Sequence, residues 1–233
     1  MFRKYDLQVH TIYSMSPNYA FIRDAFITFE DLILRTKRNG LSGIAVTDHN
    51  SVTGALKFQK IVRSKDIELD VIIGEEIRTT SGDIIGLYLE ERIPHGKSAQ
   101  ETLDLISDAS GISVAAHPYA RSGVGEDVVK RCRFDALETQ NSKRCDIDNG
   151  RARKLARQLD LAEVGGSDAH QSSDIGNAYT LVPDMLSLTD AIKDRKTRAI
   201  METRSHPISH ARKLLYQFKL PRSEWALSLV SLL

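Results

Sequence analysis

The sequence predicts an α/β fold in which a mostly parallel sheet closes into a barrel. Short apolar, β-branched runs alternate with longer amphipathic runs along the chain, a pattern typical of strand–helix units around a parallel sheet. Several strand-like runs end in a histidine or a carboxylate, and a barrel brings the carboxyl ends of its strands to one face. With 233 residues, 41% of them hydrophobic, the chain can fill one such core.

The predicted strands lie within the first 203 residues. The third and fourth strands are separated only by the turn Thr80-Ser81-Gly82, which favours a hairpin over another strand–helix unit. Strands are predicted at residues 3–9, 42–47, 70–77, 83–89, 112–116, 134–139, 161–166 and 198–201.

The predicted helices separate most of these strands, and several carry start or stop signals. Thr28 stands at the start of the first helix, and Ser98 precedes Glu101 by three residues, the spacing of a capping box. Gly40 and Gly111 follow helices at positions where a left-handed residue would end them. Helices are predicted at residues 28–38, 51–64, 98–109, 125–131, 146–159 and 187–195.

Bulk composition excludes several classes of function. The formal net charge is +1, from 32 basic and 31 acidic residues, so no global field favours nucleic acid or an anionic membrane. Cys132 and Cys145 are the only cysteines, which argues against a disulfide framework and for a reducing compartment. No signal region and no apolar stretch of roughly 18 residues is visible. We therefore predict a cytoplasmic protein without a membrane partner.

The last thirty residues differ in character from the barrel. Residues 209–219 read as a basic helix, Pro221 interrupts it, and residues 225–233 are largely apolar. We therefore place a barrel domain at residues 1–203 and a C-terminal helical tail at residues 204–233. An apolar stripe needs a cover, and we expect it to pack on the barrel or, alternatively, to join two subunits as a homodimer.

Metal-binding side chains recur where the predicted strands end or, for the fourth strand, begin. Imidazole nitrogens and carboxylate oxygens suit first-row divalent ions, and several together can hold more than one ion. A single histidine is more often structural, but the repeated placement favours a metal-dependent site on one barrel face. The residues concerned are His10, His49, Glu76, Asp83, His117, Asp168 and His170.

Five segments carry these residues in a characteristic order. They are Asp6-Leu7-Gln8-Val9-His10-Thr11, Thr47-Asp48-His49-Asn50, Gly74-Glu75-Glu76-Ile77 followed by Gly82–Leu87, Ala116-His117-Pro118 and Gly166-Ser167-Asp168-Ala169-His170. Together they resemble the PHP (polymerase and histidinol phosphatase) superfamily. The resemblance implies a distorted (β/α)₇, TIM-like barrel with a trinuclear metal site.

The resemblance also implies how the metal ligands are shared. It assigns His10, Glu76 and Asp168 to one ion. It assigns Glu76 and His117 to a second ion, and the pair His49 and His170 to a third. We therefore expect two to three divalent ions drawn from Mn, Zn, Mg and Fe.

Three positions depart from the family pattern. Gln8 stands where the family usually has the first histidine, and an amide oxygen is the weaker ligand, so the first ion should bind less tightly. Met15 stands where a carboxylate or imidazole is common, which weakens the prediction of the third ion. Asp83 replaces a histidine that many members carry, a change that favours a harder ion such as Mn²⁺ or Mg²⁺.

The resemblance implies phosphate-ester hydrolysis by in-line attack of a metal-bound hydroxide. Asp48, Asp168 or a histidine could protonate the leaving group, and the sequence does not choose among them; His49 and Asp168 are taken as the catalytic candidates. Arg121 and Arg144 are candidate substrate clamps because a guanidinium matches phosphate bidentately, although Arg144 also fits a solvated basic helix face.

We expect the substrate to be a small phosphorylated metabolite or nucleotide, with nucleic acid possible but not favoured. One alternative is a degenerate PHP barrel whose weakened metal site serves as a binding or regulatory module, which Gln8 and Met15 support. An amidohydrolase on a related barrel fits the motif spacing less well.

Overall fold

The computed structural model describes residues 1–16 and 22–203. The strands are β1 Phe2–Val9, β2 Gly43–Val46, β3 Asp70–Thr79, β4 Gly82–Leu87, β5 Ile112–Ala115, β6 Ala136–Asn141, β7 Ala162–Gly166, β8 Ala178–Pro183 and β9 Arg198–Met201. The helices are α1 Phe29–Arg38, α2 Thr53–Ser64, α3 Ala99–Asp108, α4 Glu126–Arg131, α5 Asp146–Gln158 and α6 Leu188–Lys193, with a short 3₁₀ helix at Ser172–Asp174.

The strands form one sheet in the order β7-β6-β5-β4-β3-β2-β1-β8-β9. β1, β2 and β3 are mutually parallel, as are β5, β6 and β7. β4 runs antiparallel to both β3 and β5, so it forms the predicted hairpin with β3. Because β4 is reversed, its beginning lies at the same edge as the carboxyl ends of the other barrel strands.

The sheet curves until β7 returns to β1 and β8, which produces a nearly closed barrel. Val9 and Ala169 form a parallel bridge across the closure. Gly165 and Gly166 make it possible: a Cβ on Gly166 would lie 2.7 Å from the Cβ of Gln8. The TIM-like α/β barrel predicted from the sequence is confirmed.

Apolar side chains fill the barrel and the layer outside it. One buried cluster takes residues from all seven strands β1 to β7, including Leu7, Ile72 and Val164. Two further clusters pack helices against the sheet, one around Phe58 of α2 and one around Leu155 of α5. These packed clusters fix the positions of the strand ends.

Every strand and helix predicted within residues 1–203 has a counterpart in the structure, but β8 was missed. Its run Ala178–Pro183 is short and ends in proline, and it forms a strand because it pairs antiparallel with β1 and β9. The capping boxes at Thr28 and Ser98 are present. Gly40 has the expected positive φ of 62°, whereas at the end of α3 the left-handed residue is Ser110, not Gly111.

The predicted tail at residues 204–233 lies outside the described residues, so its packing and the homodimer remain predictions. Among the described residues, no helix combines the length and apolar character needed to cross a membrane.

Candidate metal centre

The eight residues predicted as metal ligands are brought together at one mouth of the barrel by a chain of direct contacts. Six come from the carboxyl ends of parallel strands or the turns that follow them, Glu76 lies within the last half of β3, and Asp83 is the second residue of the reversed strand β4. These residues are Gln8, His10, His49, Glu76, Asp83, His117, Asp168 and His170. The placement agrees with the edge at which barrel enzymes carry their active sites.

Glu76 lies at the centre of this cluster. Its Oε2 lies 3.0 Å from Nε2 of His10 and 3.6 Å from Nδ1 of His49, and its Oε1 lies 3.1 Å from Nε2 of His117. The residue is only 2% exposed. Its two oxygens therefore face different imidazoles, as a bridging carboxylate would require.

A first group of candidate ligands consists of His10, Glu76 and Asp168. Nε2 of His10 lies 3.4 Å from Oδ1 of Asp168, in addition to its contact with Glu76. Gln8 lies against this group, and its side-chain Nε2 donates to Oε2 of Glu76 at 3.0 Å. In this orientation the amide of Gln8 presents its nitrogen, not its oxygen, to the group.

A second group consists of Glu76, Asp83 and His117. Asp83 is 1% exposed, yet it is also the partner of Arg78, whose Nε lies 2.5 Å from its Oδ1. The Asp83 carboxylate therefore stands between a candidate metal position and a guanidinium. Sequence reasoning found Asp83 but missed Arg78.

A third group consists of His10, His49 and His170, and the structure adds Asp24 to it. Oδ2 of Asp24 lies 3.1 Å from Nε2 of His49 and 2.9 Å from Nε2 of His170. Sequence reasoning looked only at the usual spacing, where Met15 stands. The later carboxylate reaches the site because the backbone N–H of Asp24 donates to the carbonyl of Ser14 at 3.0 Å, which folds this segment back over the mouth.

Two further buried polar residues border the first group. Asn141, at the end of β6, donates from Nδ2 to Oε1 of Gln8 at 3.1 Å, to Oε2 of Glu138 at 3.0 Å and to Oδ2 of Asp168 at 3.4 Å. Glu138 also accepts from the backbone N–H of His117 at 2.9 Å. The strand-end position of Asn141 was the available signal, but an amide is not an obvious metal ligand.

Asp48 has a supporting position beside the candidate ligands. Its Oδ1 accepts from the backbone N–H of Thr11 at 2.6 Å, and its Oδ2 accepts from the hydroxyl of Thr11 at 2.8 Å. The hydroxyl of Ser14 lies 3.1 Å from Nδ1 of His10. These contacts hold the turn after β1 so that Nε2 of His10 points toward Glu76.

The charges in the cluster shift its pKa values in opposite directions. Burial alone would raise the pKa of Glu76, but the nearby charge of His49 and the contacts with His10 and His117 hold it well below its usual range. Burial would lower the pKa of His117, but Glu76 outweighs it and raises the pKa to about 9. Glu76 and His117 therefore shift each other's pKa in opposite directions.

The predicted substrate clamps lie on two different loops. Arg121 is exposed, in the turn that follows His117, and the neighbouring Ser122 carbonyl accepts from the backbone N–H of Asp83 at 2.8 Å. Arg144 is half-buried at the start of α5, and its backbone N–H donates to the carbonyl of Asn141 at 3.0 Å. Both loops border the mouth.

The donor set fits divalent metal ions. Each of the three groups offers imidazole nitrogens or carboxylate oxygens that lie within 4.8 Å of one another, and such ligands suit Mn, Fe or Zn. Nδ1 of His49 is buried without a hydrogen-bond partner among the described residues and faces Glu76. A buried nitrogen of this kind has a partner once an ion is bound.

Comparison with known families agrees with this geometry. The PHP domain matches residues 6–142, and a PHP-associated region matches residues 146–197. The chain therefore belongs to the PHP-domain family.

Two curated relatives come from Methanocaldococcus jannaschii, and both are described as uncharacterized. The protein MJ1587 is 37% identical over 162 residues, which cover 67% of this chain and 93% of the relative. The protein MJ0417 is 32% identical over 186 residues, which cover 76% of this chain and 69% of the relative.

Solved structures share the barrel at low identity. A two-domain protein from Bacteroides vulgatus, described as containing a predicted PHP-like metal-dependent phosphoesterase, has a TM-score of 0.69 and 18% identity, covering 94% of this chain and 70% of that chain. An amidohydrolase from Chromobacterium violaceum, with bound sulfate and no metal, has a TM-score of 0.60 and 14% identity, covering 89% of this chain and 99% of that chain. At such identities the likeness shows the fold alone.

Proposed function

We propose that the protein hydrolyses a small phosphorylated metabolite or nucleotide in a metal-dependent reaction. The observation that carries the proposal is the position of Glu76, whose two oxygens face imidazoles of different ligand groups at 3.0 Å and 3.1 Å. A buried carboxylate shared in this way suits a site with more than one ion. Membership of the PHP family supports the same reaction class.

Divalent ions held by the three groups would lower the pKa of a bound water and neutralise charge on the phosphoryl oxygens. The side chains around the ions would hold the ions in place and orient the substrate. Asp24, at 13% side-chain exposure, and His49, at 8%, lie close to the opening, whereas His10 is fully buried. The substrate therefore approaches from the side of His49 and His170.

Proton transfer to the leaving oxygen falls to a group near that opening. We favour His49, because its Nε2 is held by Asp24 at 3.1 Å, and a fixed imidazole that is not coordinated to an ion can deliver a proton at a defined position. Asp168 is the second candidate. Burial would raise the pKa of this carboxyl, but its contact with His10 holds the pKa below its usual range. A carboxylate with a low pKa is the poorer acid at neutral pH, which ranks Asp168 behind His49.

Recognition of the substrate phosphate requires cations at the rim. Arg121 is exposed beside the turn that carries His117, and Arg144 adjoins Asn141. Both fit a small phosphorylated substrate, because the net charge of only +1 gives no global field that favours a polynucleotide.

The proposal is tested by measuring metal content and phosphate release together. The full chain is treated with chelator, reloaded separately with Mn²⁺, Mg²⁺ or Zn²⁺, and assayed on a panel of sugar phosphates, nucleotides and short oligonucleotides. We expect phosphate release that depends on the ion and favours the small substrates. Bound ions without release from any phosphate ester would contradict the proposal.

The arrangement of Gln8 favours a second candidate, a barrel that binds a ligand without turnover. Gln8 donates to Glu76 and accepts from Asn141, so the place of the first family histidine is filled by a neutral amide whose polar atoms are already hydrogen-bonded. The assay above separates the two functions. A binding module would take up metal and bind phosphate compounds in calorimetry, yet release no phosphate.

A further inference from the structure

Arg78 occupies a place at the mouth that the motifs of the sequence did not reveal. It follows Glu76 by two residues on β3 and therefore points to the same face of the strand. Its register partner on β4 is Asp83. Glu76 and Asp83 are buried, whereas the Arg78 side chain is 32% exposed, so this guanidinium is the point at which the buried cluster meets solvent on the β3–β4 side.

The geometry of the Arg78–Asp83 pair leaves donors free. Nε lies 2.5 Å from Oδ1 of Asp83, and one Nη donates to Oδ2 at 3.1 Å. A guanidinium carries five N–H groups, and among the described residues one of them, on Nη, makes a hydrogen bond to Asp83, while Nε is in ion-pair contact with the same carboxylate. The other Nη makes no hydrogen bond to an acceptor in the described part of the chain, and because the side chain is 32% exposed, solvent can reach the guanidinium.

We propose that Arg78 binds the phosphate of the substrate, with Asp83 holding its guanidinium in place, which rests on the proposed phosphoesterase function. A planar guanidinium fixed on one edge presents its remaining N–H groups in a defined plane, and this fork matches two phosphate oxygens. The backbone N–H of Asp83 donates to the Ser122 carbonyl, so the loop with Arg121 runs along the same rim. Arg78 and Arg121 thus flank Asp83 and form a two-arginine phosphate site.

A purely structural role for Arg78 makes different predictions. If the guanidinium only neutralises Asp83, its loss matters only while Asp83 is charged. Replacing Asp83 by Asn removes the charge and keeps the shape, so it separates the two roles. If Arg78 acts only as the counter-ion of Asp83, its loss in the Asp83→Asn background leaves phosphate affinity unchanged. If Arg78 binds phosphate, its loss in that background still lowers phosphate affinity.

The test measures binding of inorganic phosphate by calorimetry to the Mn²⁺-loaded full chain. The variants are Arg78→Gln, Arg78→Lys, Asp83→Asn and the double variant Arg78→Gln with Asp83→Asn. Arg63→Gln is the matched control, an exposed arginine in the last turn of α2. Manganese content of every sample is measured by elemental analysis, because Asp83 belongs to a candidate ligand group.

We expect the phosphate dissociation constant to rise at least about tenfold in Arg78→Gln, the size of one charged hydrogen bond. We expect the same rise when Arg78→Gln is added to Asp83→Asn at equal manganese content, and a smaller rise in Arg78→Lys. Equal phosphate affinity of the double variant and Asp83→Asn would overturn the inference while leaving the phosphoesterase intact. Wild-type protein that binds manganese but no phosphate would overturn both.

Discussion

Each of the two sides of the barrel mouth holds a carboxylate, but the side chains that contact it differ in kind. On the imidazole side, formed by Asp24, His49 and His170, one carboxylate oxygen contacts two ring nitrogens. On the amide side, formed by Gln8, Glu138 and Asn141, a carboxylate is held by neutral donors. Burial favours protonation of both carboxylates, but the charge of His170 outweighs it and lowers the pKa of Asp24 far below its usual range, while the pKa of Glu138 rises to about 8.

This difference indicates which side of the mouth is suited to binding metal ions. A carboxylate surrounded by imidazoles stays charged and is available to a cation. A carboxylate surrounded by amides and kept protonated is satisfied as it stands. We therefore expect the imidazole side to bind metal firmly and the amide side weakly, with Glu76 shared between them.

The largest effect should come from Glu76, since both sides depend on it. Glu76→Ala should remove at least one ion and lower phosphate release by more than about 100-fold, a larger loss than is typical when a residue that only hydrogen-bonds to a metal ligand is replaced. Metal content is read by elemental analysis. The matched control is Glu75→Gln, because Glu75 is a buried neighbour whose Oε2 instead accepts from the backbone N–H of Ile93 at 2.8 Å. If Glu76→Ala kept its full ion content, the central role of Glu76 would be contradicted.

Asp24 tests the imidazole side alone. Asp24→Asn removes the charge between His49 and His170 and should lower the affinity for one ion by about 10–100-fold. Calorimetric titration with Mn²⁺ measures the change. Met15→Ala is the control at the position where the family often has a ligand, and it should leave the titration unaltered. A response of Met15→Ala equal to that of Asp24→Asn would show that the loop, not the carboxylate, is what matters.

Gln8 tests the amide side in the opposite direction. Gln8→His supplies the imidazole that the family usually has, so affinity for the first ion should rise by roughly tenfold, and activity with it. Ion stoichiometry and phosphate release are measured on the same samples, with Gln8→Ala as the control for loss of the amide. If Gln8→His changes neither quantity in an active enzyme, the first ion is dispensable.

Asn141 should give the smallest effect, because it acts through hydrogen bonds rather than through an ion. Asn141→Ala leaves Oε1 of Gln8 and Oε2 of Glu138 without this donor, which should cost about 1–3 kcal/mol of unfolding free energy. Urea unfolding in the presence of chelator measures it. The double variant with Gln8→Ala should lose less than the sum of the single losses, and strict additivity would argue against the network.

Much of the fold was visible in local patterns. Strand and helix positions follow from apolar periodicity and capping residues, and Ser98 with Glu101 forms the expected box. β8 escaped because nothing local marks a short run before Pro183 as a strand, and its hydrogen bonds go to β1, a segment far away in the chain. Whether such a short run forms a strand depends on the partner strands it meets.

The site divides in the same way. His10, His49, Glu76, His117 and Asp168 could be found because each follows or ends a strand of a barrel, and the barrel itself determines that such ends converge. By itself, then, the sequence determined the barrel, the family and the residue types of the metal centre.

Only the tertiary structure decided which other residues join that centre. Asp24 enters through a loop that folds back by a backbone hydrogen bond to Ser14, and Asn141 enters because β6 ends beside Gln8. Arg78 reaches the mouth because the reversed strand β4 places Asp83 opposite it. In each case the deciding contact joins residues whose proximity no local periodicity encodes, since it depends on how separate segments pack around one core.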